Sequence, residues 1–175
     1  MIISDPGQYQ HGDFVLFDGA GVTFNIMSFL LARFDPSWRK APRKPWHVGF
    51  LYDQHPLFGW MVGEANGKLG VTETPLRDFK NPYLVFRWFD LPPDRTKMIN
   101  FMNAHLGQKY DNFFGYLFTI LWLFVRWWPR IIDRRYMCWE FLYAFAAAFE
   151  KPVDTIYDYP LITILMDKVG YPGYV

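Results

Sequence analysis

The amino-acid sequence predicts a single α+β domain in which an antiparallel sheet packs against helices. The first half of the chain consists of short runs rich in apolar and β-prone residues, separated by turn-forming Gly, Pro and Asp. The second half changes to apolar residues at helical spacing. Strands that are followed by helices are typical of this class. We therefore expect one domain over residues 1–175, with a core at about 12–150 and a C-terminal tail at 151–175.

The first half contains the expected strands. In chain order they are GDFVLFD (12–18), WHVGFLYD (46–53), WMVGEANG (60–67), GVTETPL (70–76) and YLVFRWFDLP (83–92). Between the first two, residues 24–34 have helical spacing, whereas residues 35–45 carry three prolines and four basic residues that disfavour regular structure. The turn DQHPLFG joins the second and third strands into a hairpin.

The second half contains three expected helices. The first spans residues 93–107, with a proline at its head and Gly107 as its stop. The second continues to Pro129 and includes the aromatic run FFGYLFTILWLFVRWW (113–128). This run is shorter than the roughly 20 apolar residues that cross a bilayer, and Arg126 interrupts it. A buried helix is favoured over a lipid-contacting surface. The third helix begins near Cys138 and stops before Pro152.

Composition excludes several classes of protein. The chain has 18 Lys plus Arg and 17 Asp plus Glu, so no basic excess indicates nucleic-acid binding. A single cysteine excludes an intrachain disulfide framework and a multi-cysteine zinc site, and we expect no metal and no cofactor. The N-terminus lacks a basic region followed by an apolar run, so no signal peptide is expected. We expect a cytoplasmic or peripheral-membrane protein; a viral or exported effector and the oligomeric state stay open.

Cys138 lies at the head of the third helix. Phe141, Leu142, Phe145 and Phe149 follow it at the spacing of one helical face, so the thiol points inward. In the first turn, the partial positive charge of the helix end favours the thiolate form, and two arginines precede it. The alternative is a small apolar filler under the sheet, which is the commoner role of a buried cysteine.

His47 and Glu64 are the candidate base and its orienting partner. The four histidines are His11, His47, His55 and His105, and only His47 lies inside a predicted strand, which would fix its direction. If Leu51 pairs with Trp60 across the hairpin, His47 lies directly opposite Glu64 on the same face. A carboxylate there would orient the imidazole and stabilise the imidazolium. Alternatively, both side chains are solvated strand residues.

The ordered motifs GDFVLF, WHVGFL, VGEANGKLGVTETPL, LGQKYDNFFGY and CWEFLYAF resemble the circularly permuted papain-like branch of the NlpC/P60 superfamily. They most resemble its YaeF/YiiX-type members, in which the histidine strand precedes the cysteine helix. The resemblance spans about residues 12–150. It implies a permuted papain-like fold with Cys138 as nucleophile, His47 as general base and Glu64 as the orienting polar residue.

The resemblance also implies residues around the substrate. Tyr110 and Asp111 match a G-x-x-Y-D step that packs near the site. Trp139 stands where these members usually carry serine, and Trp46 stands where a small residue precedes the histidine, which narrows the pocket. Glu140 matches an acidic residue of structural rather than catalytic importance.

The implied reaction is acyl transfer through a thioester. The bond could be an amide, as in peptidoglycan peptides, or a lipid ester or amide, as in the related lecithin:retinol acyltransferase-like proteins. If the aromatic run 113–128 lines the cleft, a hydrophobic or acylated substrate and peripheral membrane contact are favoured. The alternative from a different class is a non-catalytic membrane-associated or partner-binding module on the same fold.

Overall fold

The structure is a computed structural model that describes residues 2–19, 45–110 and 138–149, together with positions 25, 28, 29, 32 and 33. The strands are β1 (Ile2–Ile3), β2 (Phe14–Asp18), β3 (Pro45–His55), β4 (Gly59–Asn66), β5 (Gly70–Pro75) and β6 (Tyr83–Phe86). The helices are α1 (Arg95–His105) and α2 (Cys138–Ala148), and short 3-10 turns span Pro6–Gln8 and Leu76–Asp78.

The six strands form one antiparallel sheet in the order β1-β6-β2-β3-β4-β5. The α+β class and the antiparallel sheet are therefore confirmed. The predicted strands at 12–18, 46–53, 60–67 and 70–76 match β2 to β5 within a few residues. The described positions within 24–34 are helical, whereas the expected helix at 110–129 lies almost wholly outside the described residues.

The last predicted strand, 83–92, is too long, because β6 ends at Phe86. At the next residue the Arg87 side chain turns toward the N-terminal segment, where its Nε donates to Asp13 Oδ1 at 3.1 Å and its Nη2 donates to the Gln8 carbonyl at 2.7 Å. Prolines at 92 and 93 then remove the donors that a longer strand would need. The two-residue strand β1, which pairs with β6, was not predicted, because its pattern is too short to recognise.

The main core lies between the helices and one face of the sheet. The α2 helix packs on β3 and β4, and α1 packs on β3. Phe50 of β3 stacks on Phe145 of α2 with ring centroids 3.7 Å apart. The opposite face carries a smaller apolar cluster, which contains Ile3, Val15, Phe17, Leu51, Val62, Leu76 and Val85. The two sets alternate along β2, β3, β4 and β6, as the period of a strand requires.

The register of the β3–β4 hairpin corrects the sequence analysis. Leu51 pairs with Val62 and not with Trp60, and Glu64 lies opposite Gly49. His47 is therefore diagonal to Glu64 rather than directly opposite it. A shift of two residues leaves each side chain on its predicted face, because side chains alternate with a period of two. The two residues consequently share a face although the predicted pairing was wrong.

A β-bulge at Tyr52 produces this arrangement. Near the turn, Gln54 pairs with Trp60 and Asp53 with Met61, and the register then shifts by one residue between Leu51 and Asp53. Without the shift, Glu64 would lie opposite residue 50, and His47 would project from the other face. The inserted residue thus brings the imidazole and the carboxylate to the same side of the sheet.

Two glycines have specific structural roles, one opposite Glu64 and one at the end of α1. A Cβ added at Gly49 would lie 2.6 Å from Val62 Cγ1 and 2.8 Å from the Gly63 carbonyl oxygen, so no side chain fits opposite Glu64. Gly107 has φ of 78° and follows α1, which confirms it as the residue where the helix stops. At the other end of α1, Asp94 accepts a hydrogen bond from the Lys97 N–H at 2.8 Å.

Candidate active site

His47 and Glu64 form a direct side-chain pair at the start of β3 and the end of β4. The Nε2 atom of His47 contacts the Oε2 atom of Glu64. The Glu64 side chain is 2 % exposed and that of His47 is 24 % exposed. A carboxylate this deeply buried needs compensating donors, since removing it from water strongly disfavours the anion.

Neighbouring side chains supply those donors. Thr74 Oγ1 on β5 donates to Glu64 Oε1 at 2.6 Å, and the Asn66 side chain also hydrogen-bonds to Glu64. Burial raises the pKa of Glu64, but the hydrogen bonds from His47, Thr74 and Asn66 outweigh burial and lower that pKa below its ordinary value. Glu64 is therefore an anion at neutral pH.

The surroundings of His47 favour its protonated form. Its ring stacks beside Phe17 of β2, with centroids 5.6 Å apart. Burial lowers the pKa of His47, but hydrogen bonds to Cys138 and Glu64, together with electrostatic interactions with both groups, raise it to about 10. At neutral pH these contacts favour the imidazolium, with Glu64 as its counter-charge.

Cys138 is the first residue of α2 and is 2 % exposed. The segment predicted as the third helix is helical over Cys138–Ala148. Because Nε2 of His47 faces Glu64, Nδ1 is the ring nitrogen left for the hydrogen bond to the thiol. The helix packs on the sheet face opposite the one that carries His47, so this contact lies at the end of β3 and not across the face of the sheet.

A cavity of about 390 Å³ opens beside the imidazole and the carboxylate. Its aromatic lining comes from Phe17, Trp46, Phe79 and Tyr110. Its polar lining comes from Asn66, Asp78, Lys80 and Asn81. Cys138 is not among the described residues that line it. The cavity is therefore mixed in character, and a substrate would meet the imidazole before the thiol.

The structure brings Cys138, His47 and Glu64 together. Of the four residues expected to contact a substrate, Trp46 and Tyr110 line the cavity. Trp139 follows Cys138 in α2, and Asp111 lies outside the described residues. The aromatic run 113–128, which favoured an acylated substrate, also lies outside the described residues.

Sequence reasoning missed the side chains that hold Glu64 in place. Asn66 follows Glu64 by two residues, so the alternation of a strand could have placed it on the same face. Thr74 could have been found only with the β4–β5 register, which pairs Val62 with Thr74 and Glu64 with Thr72. Phe79, Lys80 and Asn81 follow a 3-10 turn, and no periodic pattern indicates that this segment forms a cavity wall.

Comparison with protein-family models found no match, and comparison with curated proteins found none either. Within the part of the chain that the structure describes, no helix has the length and apolar character needed to cross a bilayer. The same residues include no cluster of three or more His, Cys, Asp or Glu side chains that could hold a metal ion.

The raised pKa of His47 predicts that stability falls in alkaline solution. The folded state holds the imidazole proton more tightly than the unfolded chain, whose histidine titrates near 6.5. The stabilisation of the folded state by this proton is fully present below pH 6.5 and is lost as pH rises through about 10. We expect the free energy of unfolding to fall by up to about 1.4 kcal/mol per pH unit across this window.

Urea unfolding of the wild type and His47→Gln at several pH values measures this effect. The difference in free energy of unfolding between wild type and His47→Gln should shrink as pH rises. The control His55→Gln, at the other end of the hairpin, should show the same pH dependence as the wild type. A constant difference between wild type and His47→Gln across the window would contradict the prediction.

Proposed function

We propose that this protein is a cysteine hydrolase or acyltransferase in which Cys138, His47 and Glu64 act as a triad through a thioester intermediate. One observation carries the proposal: a single imidazole contacts both the only thiol of the chain and a buried carboxylate. The three residues come from α2, β3 and β4. A nucleophile, a base and an orienting group in this relation are the parts that activate a cysteine.

The proposed reaction begins from the thiolate–imidazolium pair. In this pair the proton of Cys138 has already passed to His47, and Glu64 stabilises the imidazolium. The thiolate attacks the substrate carbonyl, and backbone N–H groups at the start of α2 donate to the developing oxyanion. The imidazolium then protonates the leaving amine or alcohol as the thioester forms. Water or another acceptor, deprotonated by His47, attacks the thioester, releases the acyl group and restores the thiolate–imidazolium pair.

The finer fold assignment belongs to the same proposal. The antiparallel sheet carries the histidine strand β3 early in the chain, and the cysteine helix α2 comes late and packs on that sheet. This order, together with the motif resemblance, supports a circularly permuted papain-like domain of the NlpC/P60 type.

The cavity supports a polar substrate containing an amide. Asn66, Lys80 and Asn81 can hydrogen-bond to a peptide backbone or a carboxylate, while Trp46 and Tyr110 supply apolar contact. A long unbranched acyl chain would displace water from these polar groups without offering them a hydrogen bond in return. We therefore favour a peptide-like amide over a lipid ester for the part of the site that is described.

A non-catalytic binding module is the second candidate. It is favoured by the burial of Cys138, which is 2 % exposed and absent from the described lining of the cavity. A nucleophile must be reached by its substrate, whereas a buried filler need not be. The two functions differ in whether the Cys138 thiol can be acylated by a reagent while the protein is folded.

An activated ester tests the proposal directly. On incubation with p-nitrophenyl acetate, the folded wild type should gain one acetyl group, which peptide mass mapping should locate at Cys138. Loss of that group on further incubation would show that the thioester turns over. Acetylation only after denaturation would favour the binding module.

Glu64→Gln should slow acetylation while leaving a measurable rate. The substitution keeps the shape of the side chain but removes the charge that stabilises the imidazolium, and an orienting group contributes less than the nucleophile itself. The matched control is Glu73→Gln, an exposed carboxylate on the neighbouring strand that pairs with Tyr52 instead. A rate in Glu64→Gln equal to that of wild type would remove Glu64 from the triad.

A further inference from the structure

Thr74 binds the oxygen of Glu64 that does not face the imidazole. Its hydroxyl lies 2.6 Å from Oε1, while His47 contacts Oε2. In the sheet, Thr74 pairs with Val62, so it reaches Glu64 diagonally from β5. Thr72, which lies directly opposite Glu64, is its nearest chemical equivalent.

We propose that Thr74 is a positioning residue of the site, which fixes the Glu64 carboxylate so that Oε2 is presented to His47 as an anion. This inference deepens the proposed function and rests on it for its catalytic meaning. The terminal torsion of a glutamate is soft, so a carboxylate held by one partner alone can rotate. The Thr74 hydroxyl holds the other oxygen and, together with the Asn66 side chain, restricts this rotation.

The burial of Glu64 makes this second donor important. With its side chain 2 % exposed, the carboxylate has little water to stabilise its charge. When one hydrogen bond is lost, the neutral acid becomes easier to form and the imidazolium loses part of its counter-charge. Thr74 thereby influences His47 without touching it.

Thr74 offers a cleaner test of this network than Asn66. The Asn66 side chain lines the cavity, and its Oδ1 also accepts a hydrogen bond from the Lys68 N–H at 2.9 Å. A substitution there would change substrate contact and the β4–β5 turn together. Thr74 does not appear among the described residues of the cavity lining, so its replacement reports on Glu64 alone.

Titration of His47 by heteronuclear NMR of the imidazole rings tests the proposal. The signal of His47 is assigned by its loss in His47→Gln. In Thr74→Val, which removes the hydroxyl and keeps the branched shape, the midpoint should move about one pH unit toward the value of a free histidine. Thr74→Ser should restore the wild-type midpoint, and Thr72→Val should leave it unchanged.

Each outcome decides the proposal. A wild-type midpoint in Thr74→Val would overturn it, as would a Thr74→Ser variant that behaves like Thr74→Val. Urea unfolding of the same variants shows whether any shift reflects a general loss of structure, in which case Thr72→Val would shift equally and the proposal would fail. Because the NMR titration needs no reactive thiol, the role of Thr74 can stand even if Cys138 does not become acetylated, and the two proposals fail separately.

Discussion

Replacement of Cys138 by alanine should abolish acyl transfer, with a loss of about 10⁴-fold or more. The chain contains no second cysteine that could substitute for it. Without the thiol no thioester forms, and the remaining imidazole, carboxylate and cavity can only orient a substrate toward water. The measurement is the rate of acyl release from p-nitrophenyl acetate, together with intact mass to detect the acyl-enzyme.

The control must separate lost chemistry from lost stability. Cys138 packs in the main core beside Phe141 and Leu142, so truncation to alanine removes some buried contact. Cys138→Ser keeps the size of the side chain, but its hydroxyl does not ionise beside an imidazole as a thiol does. Both variants should remain folded in the absence of urea, with a cooperative unfolding transition, and both should be inactive. Activity in Cys138→Ala equal to that of wild type would end the enzyme proposal.

His47 and Glu64 lie on the same face of the sheet, as the sequence predicts, although the predicted strand pairing is wrong. The prediction holds because the face depends only on whether the register error is an even or an odd number of residues. The strand pattern could assign each residue to a face, since alternation with a period of two is visible in the sequence. It could not reveal the bulge at Tyr52, because an inserted residue in a buried strand looks like any other apolar residue. A register error of one would have separated the imidazole and the carboxylate, whereas the actual error of two did not.

The position of Cys138 was easier to predict than the site that it joins. Its helix has an apolar face that begins at the cysteine, and removing that face from water favours its burial against the sheet. The contact with His47 is different, since the two residues belong to opposite faces and meet only at the end of β3. Nothing local in either segment indicates such a meeting. It follows from where the strand ends relative to the helix, which is a tertiary property.

Loops and side-chain donors are the remaining part that sequence could not supply. Phe79, Lys80 and Asn81 line the cavity from a connection between β5 and β6, and loop conformation has no periodic signal. The same strand contains a second threonine, Thr72, so the sequence alone offers two equivalent candidates. Only the diagonal geometry across β4 and β5 shows which of the two binds Glu64.

Replacement of His47 by alanine should change the pH dependence of Cys138 alkylation from nearly flat to steep. In the proposed thiolate–imidazolium pair, His47 keeps the thiol ionised, so the rate at which iodoacetamide labels the wild type should vary little between pH 6 and pH 8. In the variant, the labelling rate should rise about tenfold per pH unit at pH values below about 8.5, the pKa of a free cysteine. Intact mass follows the reaction without ambiguity, because only one thiol exists. His55→Ala should retain the flat profile.

The two profiles should also cross, and this crossing distinguishes an activated thiolate from a change in access. At pH 6 about 0.3 % of a free thiol is ionised, which favours the wild type by about 300-fold. A more acidic thiol is also intrinsically less nucleophilic as its thiolate, so the net advantage is smaller than this ratio. At pH 8, where about a quarter of a free thiol is ionised, the variant should become the faster of the two.

A substitution that merely opened a path to Cys138 would raise the labelling rate at every pH. A wild-type thiol that labels only after unfolding would be a buried filler. Only an imidazolium that holds the thiolate makes removal of His47 slow the reaction in acid and speed it in base.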